Sequence, residues 1–495
     1  MDQFRLNITF PSSLILSLLP FLIYFLYTQI LTPLFRPDLS QIPGPVLAKL
    51  TNLYRLALVN TGSAHIHHQA LHKRHGPFIR LGPNTISIGT PAAIPILYNT
   101  RTRYPKSAFY PVMGNVAHGK VIPTIFSTQD EAVHERMKRP IAQVYAMTNL
   151  KTYEALVEST EGLFVKKLEI LADERKAFDL GAWMHWFATD VIMEITFGER
   201  NDREEVLIGQ MPWLDKFLHK NPLIAFVSGI LSNKSVSPVL AFALERIRER
   251  RIERREQPEK NVMRRDFLAR FLDIQEKRPD IPDSWIISWC QQNVQAGSDS
   301  TAITLTSVFY HLLKDPDSME TLLAELDNAH LSSPVQWDVA HKLPYLDACI
   351  KEALRMTPAI GIPLERVVPP GGIEVCGKYF RGGTVLGVNA WVAHRDEEVY
   401  GVDADEWRPG RWIDASQEKR KEMERLLFAF GGGSRVCLGR NISYLEMYKV
   451  IPEVLTRFKF ELTHPHKEWS LNNGFFTYTK GVEVTIQRRE RPGKI

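Results

Sequence analysis

Cysteine is scarce in this chain and scattered: Cys290, Cys349, Cys376 and Cys437 are the four in 495 residues. No CxxC pair occurs, which excludes the common zinc spacings and a disulfide framework. Such scarcity fits a reducing compartment. A strong charge bias is also missing. The net charge is +5 and the basic residues are spread, so no nucleic-acid-binding tract is indicated. Length alone suggests about three domains. Yet no Pro/Gly/Ser linker, low-complexity run or internal repeat divides the chain after residue 50, which predicts one large domain over 51–495.

Long apolar runs are absent with one exception. Leu14 to Leu31 is almost wholly apolar, and no charge occurs from Leu6 to Phe35. That run can span a bilayer, which needs roughly 20 residues. It is too long for the core of a cleaved signal peptide, and no small-x-small cleavage site follows. Arg36, Lys49 and Arg55 follow the run, whereas Arg5 before it is balanced by Asp2. The expectation is a single-pass anchor within 1–35, with the catalytic part in the cytosol and Tyr24 and Tyr27 at the interfaces. The Asn7 sequon then lies almost at the membrane surface and is expected to go unused. Proline-rich Pro37–Pro45 predicts a stiff, non-helical hinge over 36–50.

Phe430-Gly-Gly-Gly-Ser-Arg-Val-Cys437-Leu-Gly439 is the most informative segment. Glycines let the backbone approach a flat, bulky group. Arg435 can face an anion, and a helical pattern over 438–458 places the Cys437 sulfur where backbone N–H groups favour a thiolate. A thiolate beside a planar, acid-bearing cofactor suits a haem iron. The plain alternative is a buried structural cysteine beside a glycine turn. Phe430, Gly433, Arg435, Cys437 and Gly439 match the cysteine-loop signature Phe-x-x-Gly-x-Arg-x-Cys-x-Gly, and here the chain resembles the cytochrome P450 family. At average usage those five positions recur by chance in about one chain in ten thousand.

Other segments support that resemblance. A helix is predicted to start at Ile281-Pro282-Asp283 and run to about Lys314, stopped by Asp315-Pro316. Its centre, Ala296-Gly297-Ser298-Asp299-Ser300-Thr301, leaves room for a ligand and carries an acid followed by hydroxyls. The alternative for this hexapeptide is a kink in which the hydroxyls bond back to carbonyls. It resembles the family's oxygen-activating motif, which implies Asp299, Ser300 and Thr301 as proton-delivering residues and Ala296 and Gly297 beside the cofactor. Ser300 stands where the family has threonine, and Thr301, about 100° further round the helix, cannot simply replace it.

Glu352 and Arg355 resemble the family's Glu-x-x-Arg, with Arg411 as the implied third partner and Gly410 where an acid is usual. Cations for the haem propionates are implied at Arg435 first, then Arg366, then His134 and Lys138. Three apolar segments, Phe109–Ser127, Thr357–Leu364 and Phe475–Thr477, are expected to wall a pocket for a lipophilic substrate. The apolar stretch Asn221–Leu231 is expected to dip into the membrane, and the basic run Arg246–Arg255 to be a solvated helix with i,i+4 pairs.

The resemblance implies a mainly α fold with small β-sheets, a long central helix over the haem, and one N-terminal transmembrane helix. It implies haem b, O2, and electrons from NADPH through a flavin-containing NADPH-cytochrome reductase. It further implies the endoplasmic reticulum membrane and a role in fungal secondary metabolism, since the loop looks most like fungal members of the pisatin demethylase-like group. Two other readings are a haem-thiolate isomerase or dehydratase acting on a peroxide, and a non-catalytic haem or lipid carrier. Retention of Asp299 and the Ser300 hydroxyl argues against both.

Overall fold

The computed structural model describes residues 36–117, 120–198, 238–257 and 265–490, with Pro20, Tyr24 and Glu259. Apart from Pro20 and Tyr24, the expected anchor, the Asn7 sequon and the apolar stretch 221–231 lie outside these residues. Among the described residues no helix is long and apolar enough to cross a membrane.

Helices dominate. Those that frame the site are α1 (Glu131–Lys138), α2 (Glu154–Glu174), α3 (Leu180–Phe197), α4 (Pro238–Glu256), α5 (Asp283–Lys314), α6 (Pro344–Met356) and α7 (Arg440–Leu455). Besides two small hairpins, 115–122 and 373–380, the strands are β1 (Phe78–Gly82), β2 (Thr85–Ile88), β3 (Phe178–Asp179), β4 (Leu364–Val367), β5 (Val385–Val388), β6 (Phe458–Leu462), β7 (Ser470–Asn473), β8 (Thr477–Lys480) and β9 (Glu483–Arg488). One sheet has the order β1-β2-β5-β4, with only β2 and β5 parallel. A second has β6-β9-β3, and β7 and β8 form a hairpin.

Helix α5 starts after the extended Pro282 and ends at Asp315, where Pro316 disfavours further helix. Its 32 residues make it about 48 Å long. Helix α3 packs against it. Apolar on nearly every face, α3 buries Phe187, Val191 and Ile195. The Asp179 side chain caps its start by accepting from Ala182 N at 3.1 Å, and Gly198 ends it at φ +69°. A Cβ on Gly297 would lie 2.8 Å from Ile192 Cγ1, so that glycine is where α5 and α3 touch. The room expected for a ligand at Gly297 is taken by a neighbouring helix.

Two more expectations need correction. Pro37–Ser40 is a helical turn, because a proline in the first turn donates no N–H that the helix needs. Leu39 and Ile42 are buried and Pro43 O accepts from Arg80 N at 2.8 Å, so the segment is docked on the strand that carries Arg80. The basic run in α4 is a fastener, with pairs reaching across elements. Buried Arg250 grips Asp266 through 3.0 and 2.9 Å bonds, Arg251 meets Asp283 at 2.7 Å, and Arg254 meets Asp273 at 2.7 Å.

Helix α6 carries the main buried charge network. Glu352 and Arg355 are both 0% exposed and make two bonds of 2.9 and 2.8 Å. Glu352 also accepts from Arg411 Nε, Arg408 N and Trp412 Nε1, each at 2.9 Å. Arg355 donates onward to the carbonyls of His394, Ala404 and Glu406, which ties α6 to the chain that leads into the cysteine loop. The carboxylate absent at Gly410 is supplied by Asp403, 2.8 Å from Arg411 Nη1. Burial opposes ionisation of Glu352, but Arg355 and Arg411 hold its carboxyl below the usual range.

Removing the charge while keeping the shape leaves the buried Arg355 guanidinium uncompensated and Arg411 with Asp403 alone. Glu352→Gln should therefore cost about 3–5 kcal/mol, read as a lowered urea midpoint. An unchanged midpoint would show that the network does not hold the fold.

Candidate functional site

The cysteine loop is shaped by the backbone beneath it. Gly431 and Gly433 take φ of +69° and +63°. A Cβ on Gly433 would lie 2.7 Å from Asn99 O and 2.8 Å from Tyr98 C. What the glycines approach so closely is thus the 98–99 backbone, rather than only a cofactor. Cys437 N donates to Phe430 O at 2.9 Å, and the Phe430 ring packs on Tyr444 of α7 at 5.4 Å. Helix α7 starts at Arg440, later than expected, with Gly439 as its N-cap and Cys437 two residues before that.

Cys437 has open accessible surface although it lies deep in the protein, so it faces an internal crevice. Burial pushes its thiol up. The N–H groups of Gly439 and Arg440, with the charges of Arg440 and Lys138, pull the other way without prevailing. The thiolate therefore needs a further positive partner, which the N–H groups alone do not provide.

Buried cations gather beside the loop. Lys138 Nζ donates to Ser434 O at 2.8 Å. Arg435 is committed at every nitrogen: Nε reaches Glu131 Oε1 at 2.8 Å, Nη2 reaches the same oxygen, and Nη1 reaches Ile125 O at 3.2 Å. Arg366, on β4, uses Nη1 on Glu365 O at 2.8 Å and lies over the Tyr98 ring, with no carboxylate partner among the described residues. Lys106, bridged to Arg366 as an isolated β-pair, sits over the rings of Tyr110 and Phe126 and donates to Phe126 O at 2.6 Å. Burial and then neighbouring cations push Lys106, Lys138 and His134 down, the last to about 3, so its imidazole is neutral. Burial outweighs the Glu131 pair at Arg435 too. Glu365 is no help to this cluster, being bound to Arg55 and Ser107. The cluster is short of negative charge.

On α5 the implied residues separate. Ala296 and Gly297 are at least partly accessible. Ser300 Oγ donates to Ala296 O at 2.7 Å, one turn back. Asp299 accepts from Tyr478 Oη on β8 at 3.0 Å and lies 3.3 Å from His185 Nδ1 on α3. Thr301 does not join them. It is 1% exposed, and its hydroxyl lies 3.0 Å from Ser443 Oγ on α7, because it occupies the face packed on that helix.

The three expected wall segments do converge. Phe475 stacks on Phe109 at 6.0 Å and meets Phe126 edge-on at 5.5 Å. Gly361 N donates to Phe475 O and Thr477 N to Ala359 O, both at 2.9 Å, which joins the 357–364 turn to the 475–477 turn.

A cytochrome P450 family model matches residues 43–486. Cytochrome P450 monooxygenase cicH of Emericella nidulans is 43% identical over 93% of this chain and 96% of its own length. The chain belongs to the cytochrome P450 family. A cytochrome P450 monooxygenase of Aspergillus terreus is 41% identical over 85% of this chain and 90% of its own length. Cytochrome P450 monooxygenase mpaDE of Penicillium brevicompactum is 38% identical over 92% of this chain and 56% of its own length. As a P450, this chain is an oxidoreductase of the monooxygenase class.

The family's haem fits the residues present. It brings an iron for a thiolate and two carboxylates for a cation cluster that lacks them. Cys437 can ligate the iron, while Arg366, Lys106, Lys138 and His134 can meet the propionates. Lys106 was missed from sequence, where a lysine in Tyr104-Pro-Lys106 carries no signal; only its pairing with Arg366 reveals it. Arg435 drops below Arg366 in this ranking, since Glu131 already neutralises its charge and takes two of its five N–H donors. Arg366→Met should thus speed haem transfer to an apomyoglobin acceptor by about ten-fold or more, as expected for a lost charged hydrogen bond, and by more than Arg435→Met does. The reverse order would reject this placement.

Proposed function

We propose that this P450 is a microsomal monooxygenase that oxidises a lipophilic small molecule in fungal secondary metabolism, with electrons from NADPH through a flavin reductase. The observation that carries the reading is the Cys437 crevice beside a cation cluster short of negative charge. When bound, the thiolate-ligated haem supplies O–O cleavage and oxygen insertion into the substrate.

The chain's own residues do the rest. Cys437 donates its sulfur, and the basic cluster fixes the propionate edge. Phe109, Phe126, Phe475 and Phe476 hold an apolar substrate and exclude water. Asp299 carries a proton and Ser300 presents its hydroxyl from the next position on α5. Ser300 can turn from the Ala296 carbonyl at a cost of about 1 kcal/mol, a single neutral hydrogen bond. Thr301 has no part in this.

One catalytic domain follows an N-terminal anchor in the endoplasmic reticulum membrane, facing the cytosol. The apolar run in 14–31 supports this, as do Val46, Leu47, Leu53 and Leu56, all more than 60% exposed soon after it.

The reduced, CO-bound protein should show the long-wavelength Soret band of thiolate ligation, and Cys437→Ala should abolish it; a band that survives would remove Cys437 as ligand. Product should require NADPH and reductase, and product from a hydroperoxide alone would favour the isomerase class instead. Ser300→Ala should lower product per NADPH by about ten-fold while haem content stays level. Unchanged coupling would take Ser300 out of proton delivery.

A further inference from the structure

Asp299 is held by two residues that the sequence does not connect with it. Its Oδ2 accepts from Tyr478 Oη at 3.0 Å, and its Oδ1 lies 3.3 Å from His185 Nδ1. The three residues come from α5, β8 and α3, which are brought together by close backbone approaches. A Cβ on Gly181 would lie 2.5 Å from Thr479 Oγ1, so only a glycine lets the start of α3 sit this near β8. His185 follows Gly181 by one turn on the same face. Gly297 brings α5 onto α3 in the same way, two residues before Asp299.

Tyr478 is 47% exposed, and the two groups it joins differ. The His185 side chain is 41% exposed and that of Asp299 20%, so the imidazole is the wetter of the two. We propose that His185 reloads Asp299 with protons from solvent, and that Tyr478 fixes the carboxylate to receive them. The inference rests on the monooxygenase reading, in which Asp299 spends a proton in each cycle.

The step is a proton transfer alone. An imidazolium gives its Nδ1 proton to Asp299 Oδ1, leaving a neutral imidazole and a neutral carboxylic acid, and water then returns a proton to the imidazole. Tyr478 already donates to Oδ2, which leaves Oδ1 to receive. Its phenol keeps its own proton, because burial and the adjacent Asp299 raise its pKa. His185 is a positioning and supply residue that acts through Asp299.

The test uses the full-length holoenzyme with reductase. His185→Gln keeps the size and a hydrogen bond but carries no transferable proton. It should lower product per NADPH by about ten-fold, raise the solvent deuterium isotope effect on product formation, and leave haem content and substrate-induced spectral binding unchanged. In an Asp299→Asn background the same change should add no more than about two-fold, since both act on one path.

A second readout does not depend on turnover. In the ferrous CO-bound protein, the 15N resonance of His185 Nδ1 should show a protonated nitrogen, and Asp299→Asn should move it towards the unprotonated value. Full coupling in His185→Gln, multiplying losses in the double variant, or an Nδ1 resonance indifferent to Asp299 would each overturn the proposal. Direct proton entry from water to Asp299 is what the first outcome would mean. Failure of the monooxygenase reading looks different, because the wild type would then form no product from NADPH at all.

Discussion

Charge inside this protein must be matched, and the way it is matched separates scaffold from site. Glu352 receives five hydrogen bonds, two from Arg355 and one each from Arg411, Trp412 and the Arg408 backbone, so nothing further is required there. Beside Cys437 the balance fails. Lys106, Arg366, Lys138 and Arg435 share the Glu131 carboxylate, which Arg435 already holds, and the lysines are pushed down. A buried ion pair contributes little net stability but is costly to break. The satisfied network therefore belongs to the frame, and the unsatisfied one to a ligand that brings its own acids.

Glycine supplies the second constraint. Gly433, Gly297 and Gly181 each stand where another backbone or side chain would meet a Cβ at less than 3 Å. Each closes one joint: the cysteine loop on residues 98–99, α5 on α3, and α3 on β8. The flat cofactor that a glycine run suggests is real for the family, yet the immediate reason for Gly433 is protein backbone. A motif can therefore be read correctly for function while its physical cause lies elsewhere.

The long helix and the cysteine loop were legible because local signals determine them. Proline at both ends bounded α5 closely, and the partners of Glu352 lie at helical spacing or in a Trp-Arg-Pro motif. Partner choice across elements was not legible. Arg435 was expected as the first propionate ligand, and the sequence did not show that Glu131, 304 positions away, takes two of its five N–H donors. Thr301 looked catalytic until Ser443 of α7 proved to be its neighbour. The basic run of α4 looked solvated, whereas its arginines fasten elements distant in sequence. Each of these differences concerns which surface a side chain meets, and helical periodicity gives the face but not the partner.

Ser300 shows how little energy separates the two readings of the central motif. Its hydroxyl bonds back to Ala296, as a serine in a helix does for purely structural reasons. That bond is neutral and contributes about 1 kcal/mol. A threonine here would be restricted about χ1 by its methyl group, and serine lacks that restraint. The same atom can therefore rest on its own helix and still turn towards a reacting group at small cost. The burden of directing protons then passes to the neighbour that is held in place. Asp299, clamped between Tyr478 and His185, is that neighbour, and its fixed carboxylate compensates for the freedom that serine adds.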